Sequence, residues 1–228
     1  MLKELIMRAS LFLFMIMLFT NYVRAQDQKT NAFSIGINAG SNNNHLRGDS
    51  FAEKYDAQYN YFIGLSFEYS INENFSVLTN FNYENRSYKS EYESFNLVWT
   101  NTFTVEDKTK IKNLNIPLLL KYKFGFEKEF FINGGLFYNH IFDVSNEMIN
   151  KETGEDVSDL DFNELFKDKE YGFSLGIGMT FKLNEKNNLA LEIRGDYGIS
   201  DIGDTKFGGI SQTKTNTIKF IANWNLNL

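Results

Sequence analysis

Histidine is the most frequent catalytic base in proteins, and this sequence has two, His45 and His140. A hydrolytic site needs a base and usually a nucleophile within hydrogen-bonding reach of it. Neither histidine is followed two residues later by a serine. His140 could approach Asp196 or Ser200 only if the segments that carry them were neighbours. We therefore predict no catalytic residue and interpret both histidines as polar surface side chains.

One segment, "DLDFNELFKDKE", has residues that could bind a metal ion. It places Asp159, Asp161, Asn163 and Glu170 at positions 1, 3, 5 and 12 of a calcium-binding loop. Position 6 holds Glu164, where such a loop needs glycine for its turn. We therefore favour a short amphipathic lid over a calcium site, and we expect no metal or cofactor.

Composition narrows the class of protein further. The chain has 228 residues, a net charge of −6, a pI of about 5.1 and no cysteine. The acidic balance argues against nucleic acid as a partner. The lack of cysteine excludes disulfides and thiolate sites. The length suits one domain or one closed barrel.

The first 25 residues have the pattern of a secretory signal peptide. Lys3 and Arg8 precede the uncharged run "LFLFMIMLFT", and Val23 and Ala25 match a small-x-small cleavage site. The alternative is a membrane anchor, but this run is too short to cross about 30 Å of hydrocarbon as a helix. We predict cleavage after Ala25 and a mature domain over residues 26–228.

The mature chain shows period-2 alternation, which is typical of strands with two unlike faces. In "YGFSLGIGMTFK", aromatic and aliphatic residues alternate with glycine, serine and threonine. Eight such segments can be found, and only "FFINGGLFYNHIF" leaves its register open because both its faces carry aromatic residues. The even number of strands is compatible with an up-and-down barrel.

The connections between these segments alternate between short and long. Short polar turns are expected near residues 72–74, 127–129 and 184–187, and long loops near 41–58, 87–110, 143–170 and 200–214. Outer-membrane barrels have short periplasmic turns and long extracellular loops. The pattern therefore predicts an all-β, eight-stranded antiparallel up-and-down transmembrane β-barrel in the cell outer membrane, with both termini periplasmic.

Two of the long loops carry further signals. Alternation in "FNLVWTNTFTV" suggests that strands three and four extend beyond the membrane as a hairpin, and an exposed edge there could bind a partner by strand addition. The third loop, which contains the calcium-like pattern, would cover the barrel mouth with apolar side chains. These are Leu160, Phe162, Leu165 and Phe166.

Aromatic residues on the apolar faces should gather at the two membrane interfaces. Ten residues of a strand that is tilted by 35–45° rise roughly 25 Å, the height of the apolar band. The candidate girdle residues are Tyr59, Tyr69, Phe75, Tyr83, Phe124, Phe130, Tyr138, Tyr171, Phe181 and Tyr197.

Charged residues lie on the opposite faces and should point into the lumen. A one-residue slip of the seventh strand would place Glu192, Arg194 and Asp196 in lipid, where an arginine costs about 2–4 kcal/mol. Side chains fill the interior of an eight-stranded barrel, so we expect a plug, with inward glycines making room for the longer side chains. The predicted lumen charges are Glu68, Glu84, Arg86, Lys121, Lys123, Lys182, Glu192, Arg194 and Asp196.

Three phrases resemble strands of PorT-like, porin-family outer-membrane β-barrel proteins of Gram-negative bacteria. They are "IPLLLKYKF", "YGFSLGIGMTFKL" and "LALEIRGDYGISDI". The resemblance implies an eight-stranded outer-membrane barrel with no reaction, cofactor or catalytic residue. Some relatives are linked to protein secretion and sliding motility. Outer-membrane lipid, the barrel-assembly machinery and a protein bound through the loops are the expected partners.

We therefore expect a non-enzymatic barrel with a plugged lumen and a structural or interaction role through its extracellular loops. The alternatives are a narrow porin-like channel for small solutes, an outer-rim lipid or peptide hydrolase, and a secreted soluble barrel that binds lipid inside.

Pro117, the single proline, should interrupt one ladder of a closed barrel because it has no N–H to donate. We expect either a bulge at Ile116–Pro117 or a position near the outer rim, since an orphaned carbonyl in hydrocarbon is costly.

Overall fold

Eight antiparallel strands form a closed ring in the computed structural model, which describes residues 32–48, 52–95, 102–157, 166–203 and 213–228. Each strand pairs with its sequence neighbours, and β1 pairs with β8 to close the barrel. This confirms the predicted fold class, whereas the proposed signal peptide, residues 1–25, lies outside the described residues. The strands are β1 Phe33–Arg47, β2 Asp56–Ser70, β3 Phe75–Phe95, β4 Thr102–Phe124, β5 Phe130–Asn150, β6 Lys169–Lys182, β7 Asn187–Gly198 and β8 Lys214–Asn227.

The pleat of each strand separates an apolar outer face from a polar inner one. On β6, Leu175 is 65% exposed whereas its neighbour Ser174 is fully buried. Such a continuous apolar outer surface requires a lipid environment, because water would not tolerate it. Among the described residues, no helix is long and apolar enough to span a membrane.

The ten candidate girdle residues all have exposed side chains on the outer face. Near the short turns, the rings of Phe124 and Phe130 stack with centroids 5.9 Å apart. Near the opposite end, Phe173 and Tyr197 stack at 5.0 Å. Aromatic rings therefore contact one another between neighbouring strands at both ends of the apolar band.

The strands are longer than the sequence pattern predicts. The short turns lie at residues 71–74, 125–129 and 183–186, close to the prediction. The longer connections are residues 48–55, 96–101, 151–168 and 199–213, so the expected loops 41–58 and 87–110 were too long. His45, which falls within the expected loop 41–58, belongs to β1. Charged side chains can point outwards above the lipid, so polarity did not mark the strand ends.

Strands β3, β4 and β5 form the longest extension above the apolar band. Their outer faces carry cross-strand ion pairs such as Lys89–Glu106 at 2.9 Å and Lys112–Asp143 at 2.7 Å. The β3–β4 ladder continues to the pair Phe95–Thr102, which confirms the expected hairpin.

The structure resolves the register of β5 that the sequence left open. Phe131 and Phe137 point into the lumen and are buried. The register against β4 shifts by one residue between Lys112 and Asn113, and Phe142 is the extra residue on β5. Before this bulge the odd-numbered residues of β5 point into the lumen, and after it the even-numbered residues do. Val144 is therefore the next buried apolar side chain after Ile141.

Both expectations for Pro117, a bulge at Ile116–Pro117 or a position near the outer rim, were wrong. Pro117 faces the lumen between the two girdles, and the register of β4 against β5 continues through it. Pairing with β3 lapses at Asn80 and Phe81, but the register is the same on both sides of the lapse. The barrel therefore accommodates the missing N–H by interrupting one ladder locally and inserts no residue.

Candidate functional site

The centre of the lumen holds a buried ion-pair network that joins strands from opposite sides of the barrel. Lys219 of β8 lies with its Nζ atom 2.8 Å from Asp196 Oδ2 and also pairs with Glu84 of β3. Arg86 donates to Glu170 Oε2 of β6 at 2.8 Å and lies 3.5 Å from Glu84. All five side chains are at most 3% exposed. The network therefore crosses the lumen from β7 and β8 to β3, and from β3 to β6.

A second cluster lies beside the first. Arg194 donates to both carboxylate oxygens of Glu192, at 2.6 Å and 2.9 Å, in a bidentate arrangement. Its remaining nitrogen donates to Asn80 Oδ1 at 3.3 Å. Asn133 also donates to Glu192, at 2.9 Å. These contacts connect β7 across the lumen to β3 and β5.

A third cluster lies near the short-turn end of the barrel. Lys121 and Lys123 of β4 both contact the carboxylate of Glu68 on β2, at 2.9 Å and 2.5 Å. Ser76 donates to the same carboxylate at 2.7 Å. The three clusters together contain five acidic and five basic side chains, so their charges balance. Buried charges require such compensation.

The predicted lumen residues occupy different surroundings. Seven of the nine are buried in these clusters, and Lys123 is partly exposed at their lower end. Lys182 is exposed at the end of β6 and makes no ion pair within the described part of the chain. The structure therefore brings eight of the nine together and leaves Lys182 outside.

Two central residues escaped the sequence analysis. Lys219 shares its face with Asn223 and Asn225, so its parity already placed it inside the barrel. Glu170 was assigned to the acidic loop, although it precedes Gly172 and Ser174 by the strand period of two. Extending the alternation of β6 by one step would have found it.

Glycines make room for three phenylalanines that share the lumen with the charges. The cross-strand pairs are Gly40–Phe62, Phe131–Gly178 and Phe137–Gly172. A Cβ atom on Gly178 would lie 2.4 Å from the Phe131 ring, and one on Gly172 would lie 2.7 Å from the Phe137 ring. Only glycine allows these rings to lie flat against the wall. The lumen is therefore filled by apolar rings as well as by ion pairs.

Apolar residues from strands and loops close the outer end of the barrel above the ion pairs. The loop segments pack against each other, with Lys167 N donating to Ile202 O at 2.8 Å and Ile202 N donating to Thr213 O at 2.8 Å. We call the buried apolar residues at this end, from both strands and loops, the outer cap. Its buried members are Leu46, Ala52, Tyr55, Tyr88, Ile111, Ile141, Val144, Phe166 and Ile202.

One polar contact anchors the outer cap to the wall. The hydroxyl of Tyr55 donates to Asp107 Oδ2 at 2.7 Å, and Asn146 donates to Asp107 Oδ1 at 2.6 Å. Burial and the hydrogen bond to Asp107 raise the pKa of Tyr55 far above its ordinary value. The phenol therefore stays protonated and remains a donor.

The expected lid can be followed only in part. Phe166 lies in the outer cap, whereas Leu160, Phe162 and Leu165 fall outside the described residues. So do Asp159, Asp161 and Asn163 of the calcium-like pattern. Glu170, its expected last ligand, points into the lumen and binds Arg86, which is incompatible with that metal site.

The histidines do not meet any nucleophile in the described part of the structure. His45 is exposed on the outer face of β1. His140 is exposed on β5, with its Nδ1 atom 3.2 Å from the carbonyl oxygen of Asp168. Among the described residues, no group of three or more His, Cys, Asp or Glu side chains is arranged to hold a metal ion.

One family model and several solved structures are similar to this chain. The family model for the outer membrane protein beta-barrel domain matches residues 24–204. The solved structure of OprG from Pseudomonas aeruginosa is 16% identical, with 85% of this chain and 94% of that chain covered and a TM-score of 0.47. Outer membrane protein W of E. coli is 17% identical, with 86% and 98% covered and a TM-score of 0.42.

Neisserial surface protein A is also similar, at 14% identity, with 86% of this chain and 97% of that chain covered and a TM-score of 0.45. No curated protein sequence matches the chain significantly.

Proposed function

This chain belongs to the outer membrane protein beta-barrel domain family, and on that premise we propose that it is a sealed, non-enzymatic barrel that binds a partner through its outer strands and loops. A role beside protein secretion, which the sequence resemblance suggested, is one form that such binding could take. Outer-membrane lipid surrounds the barrel, and the barrel-assembly machinery is the proposed partner in its insertion.

The observation that carries this proposal is the burial of the central ion pairs. A water-filled channel would leave its charged lining exposed, whereas Lys219, Glu84 and Arg86 are at most 2% exposed. The outer cap adds a second, apolar closure above them. These two layers favour a plug over a narrow solute channel.

Ion conductance tests the seal. The purified barrel in planar lipid bilayers should show no unitary current steps, while a general porin that is reconstituted in the same way serves as the positive control. Shortening both partners of a spanning pair and removing a ring from the outer cap above it, as in Arg86→Ala, Glu170→Ala and Phe166→Ala together, should open a current. The matched exposed pair, Lys112→Ala with Asp143→Ala, should not. A steady current through the unmodified barrel would overturn the seal.

The absence of cysteine allows a clean test of orientation. We propose that the short turns and both termini face the periplasm. A single cysteine at Lys151, in the connection after β5, should react with a membrane-impermeant maleimide in intact cells. A single cysteine at Lys128, in the turn before β5, should react only after the outer membrane is permeabilised. The reverse pattern would show the opposite orientation.

We also propose cleavage after Ala25, so that the first residue of the mature protein is Gln26. Intact mass measurement of the protein isolated from membranes would reveal a different start.

A further inference from the structure

The β3 strand continues six residues beyond the point where its neighbour β2 stops. The β2–β3 ladder ends at the pair Asp56–Lys89, whereas the β3–β4 ladder runs on to Phe95. Within the part of the chain that the structure describes, no backbone pairs with residues 90–95 on the side that β2 vacates. We call these six residues the free edge of β3.

The backbone groups at this edge point away from the barrel. Lys151 N donates to Thr104 O at 2.9 Å, so the backbone of Thr104 is directed towards β5 and not towards β3. Thr104 lies opposite Glu93. Hydrogen bonds alternate along an antiparallel ladder, so the N–H and C=O of Glu93 face the free edge. The period of two gives Glu91 the same direction.

The opposite edge of the same three-stranded extension is covered. The chain turns back after β5, and Asn150 N donates to Glu155 O at 3.0 Å while Val157 N donates to Met148 O at 2.8 Å. Proteins normally protect exposed strand edges, because unpaired N–H and C=O groups accept other chains. The contrast between the two edges makes the open one a candidate docking surface.

The path of the chain before β2 explains why the edge is open. Tyr55 turns into the barrel mouth, where its hydroxyl binds Asp107 at 2.7 Å, and Ala52 is buried in the outer cap. The segment that could have continued the β2 ladder is therefore used to close the mouth. Closure of the lumen and exposure of the β3 edge follow from the same turn.

The charge around the free edge indicates what kind of strand it accepts. The free edge itself carries two acidic side chains, Glu91 and Glu93, and no basic one. Glu91 is engaged by Lys89 and Lys151 at 3.0 Å and 3.1 Å, whereas Glu93 has no ion pair within the described residues. A second copy of this chain would bring glutamates against glutamates, which is unfavourable. A basic strand would meet the opposite charge.

We propose that the free edge of β3 binds an extended polypeptide segment with lysine or arginine at alternate positions, which adds as an antiparallel strand. The inference rests on the proposed partner-binding role and names the surface and the chemistry of the partner. Main-chain hydrogen bonds to Glu91 and Glu93 supply the affinity, and the carboxylates of these two residues select basic side chains.

The test uses a synthetic octapeptide of alternating lysine and valine, added to the full chain in lipid nanodiscs. Glu93→Pro removes the outward N–H but leaves the ladder to β4 intact, and Glu93→Gln is the control that keeps the N–H. We expect binding by the unmodified chain, a few-fold loss for Glu93→Gln, and a loss of about tenfold or more for Glu93→Pro. A peptide of the same charge that is N-methylated on alternate residues should not bind.

Backbone hydrogen exchange adds a second readout. The amides of Glu91 and Glu93 should exchange quickly in the free protein and slow down when the peptide is bound. Equal binding by both variants and by the N-methylated peptide would mean adsorption by charge alone and would overturn the inference. So would a lack of binding at millimolar peptide, or a Glu93 amide that is already protected. The conductance of the same samples tests the seal separately.

Discussion

The ammonium group of Lys219 lies 2.8 Å from Asp196 Oδ2 and also pairs with Glu84. None of these three residues is more than 3% exposed. Asp196 lies on the adjacent strand β7, but Glu84 lies on β3, on another side of the ring. One lysine thus ties distant strands together through the middle of the lumen.

Replacing Lys219 with methionine should therefore destabilise the barrel strongly. The substitution leaves two carboxylates buried with less compensation, and breaking a buried pair in this way costs about 3–5 kcal/mol. The free energy of unfolding can be measured by urea titration in detergent or in lipid vesicles. Lys182→Met is the matched control, because Lys182 is exposed, and it should change little. Neutralising Glu84 in the Lys219→Met background, as Glu84→Gln, should recover part of the loss. Equal stability of the Lys219 and Lys182 variants would contradict a structural role for the network.

Substitution by alanine should lower stability at a glycine that points into the lumen but not at one that points towards lipid. A Cβ atom on the inward Gly178 would lie 2.4 Å from both the Leu191 carbonyl oxygen and the Phe131 ring. A Cβ atom on the outward Gly195 would meet nothing closer than 4.0 Å. Overpacking typically costs about 1–3 kcal/mol, so Gly178→Ala should lower the urea midpoint. Gly195→Ala should leave it within the equivalent of about 0.5 kcal/mol. Similar midpoints for the two variants would mean that the Phe131 ring does not lie against the wall.

The ring of eight strands could be predicted because lipid imposes a strict rule on every strand. Outward positions must be apolar, so Glu192, Arg194 and Asp196 fixed the register of β7 from their parity alone. On β5 the rule gave no answer, because Phe131 and Phe137 point inwards against glycines of β6. A strand can carry apolar residues on both faces where glycines of the neighbouring strand leave room for rings in the lumen.

The strand ends and the ion-pair partners could not be predicted for a different reason. Above the lipid both faces are polar, so the outward residues Lys89 and Glu106 gave no sign that their strands continue. Parity placed Lys219 in the lumen, but its contact with Glu84 depends on how far the strands are staggered around the closed ring. That stagger is a property of the whole barrel and cannot be predicted from any single segment.

Because Tyr55 anchors the outer cap, the free energy of unfolding should decrease at alkaline pH. Burial and the hydrogen bond to Asp107 raise the pKa of Tyr55 above its ordinary value of 10.0. The folded state thus holds the phenolic proton where the unfolded chain releases it. The stabilisation is complete below pH 10 and is lost progressively as the pH rises above that value. Tyr55→Phe should be less stable at neutral pH by about 1–2 kcal/mol and should lose less stability on going to higher pH. Parallel pH profiles for the two proteins would contradict this role of Tyr55.

Restoring the missing donor at Pro117 tests how the barrel accommodates its single proline. Lys123 N donates to Asn74 O at 2.7 Å, so odd-numbered residues of β4 direct their N–H groups towards β3. By this alternation, residue 117 faces the carbonyl of Asn80. Pro117→Ala should supply the absent bond, worth about 1 kcal/mol. It should also lose roughly 0.4–1 kcal/mol, because alanine leaves the unfolded chain freer. The net change in unfolding free energy is therefore small, and hydrogen exchange is the sharper measurement.

The new amide at 117 should be protected as strongly as that of Leu119, which faces Leu78 on the same side of β4. Fast exchange at 117 beside slow exchange at 119 would show that β3 and β4 are held apart there by something other than the proline.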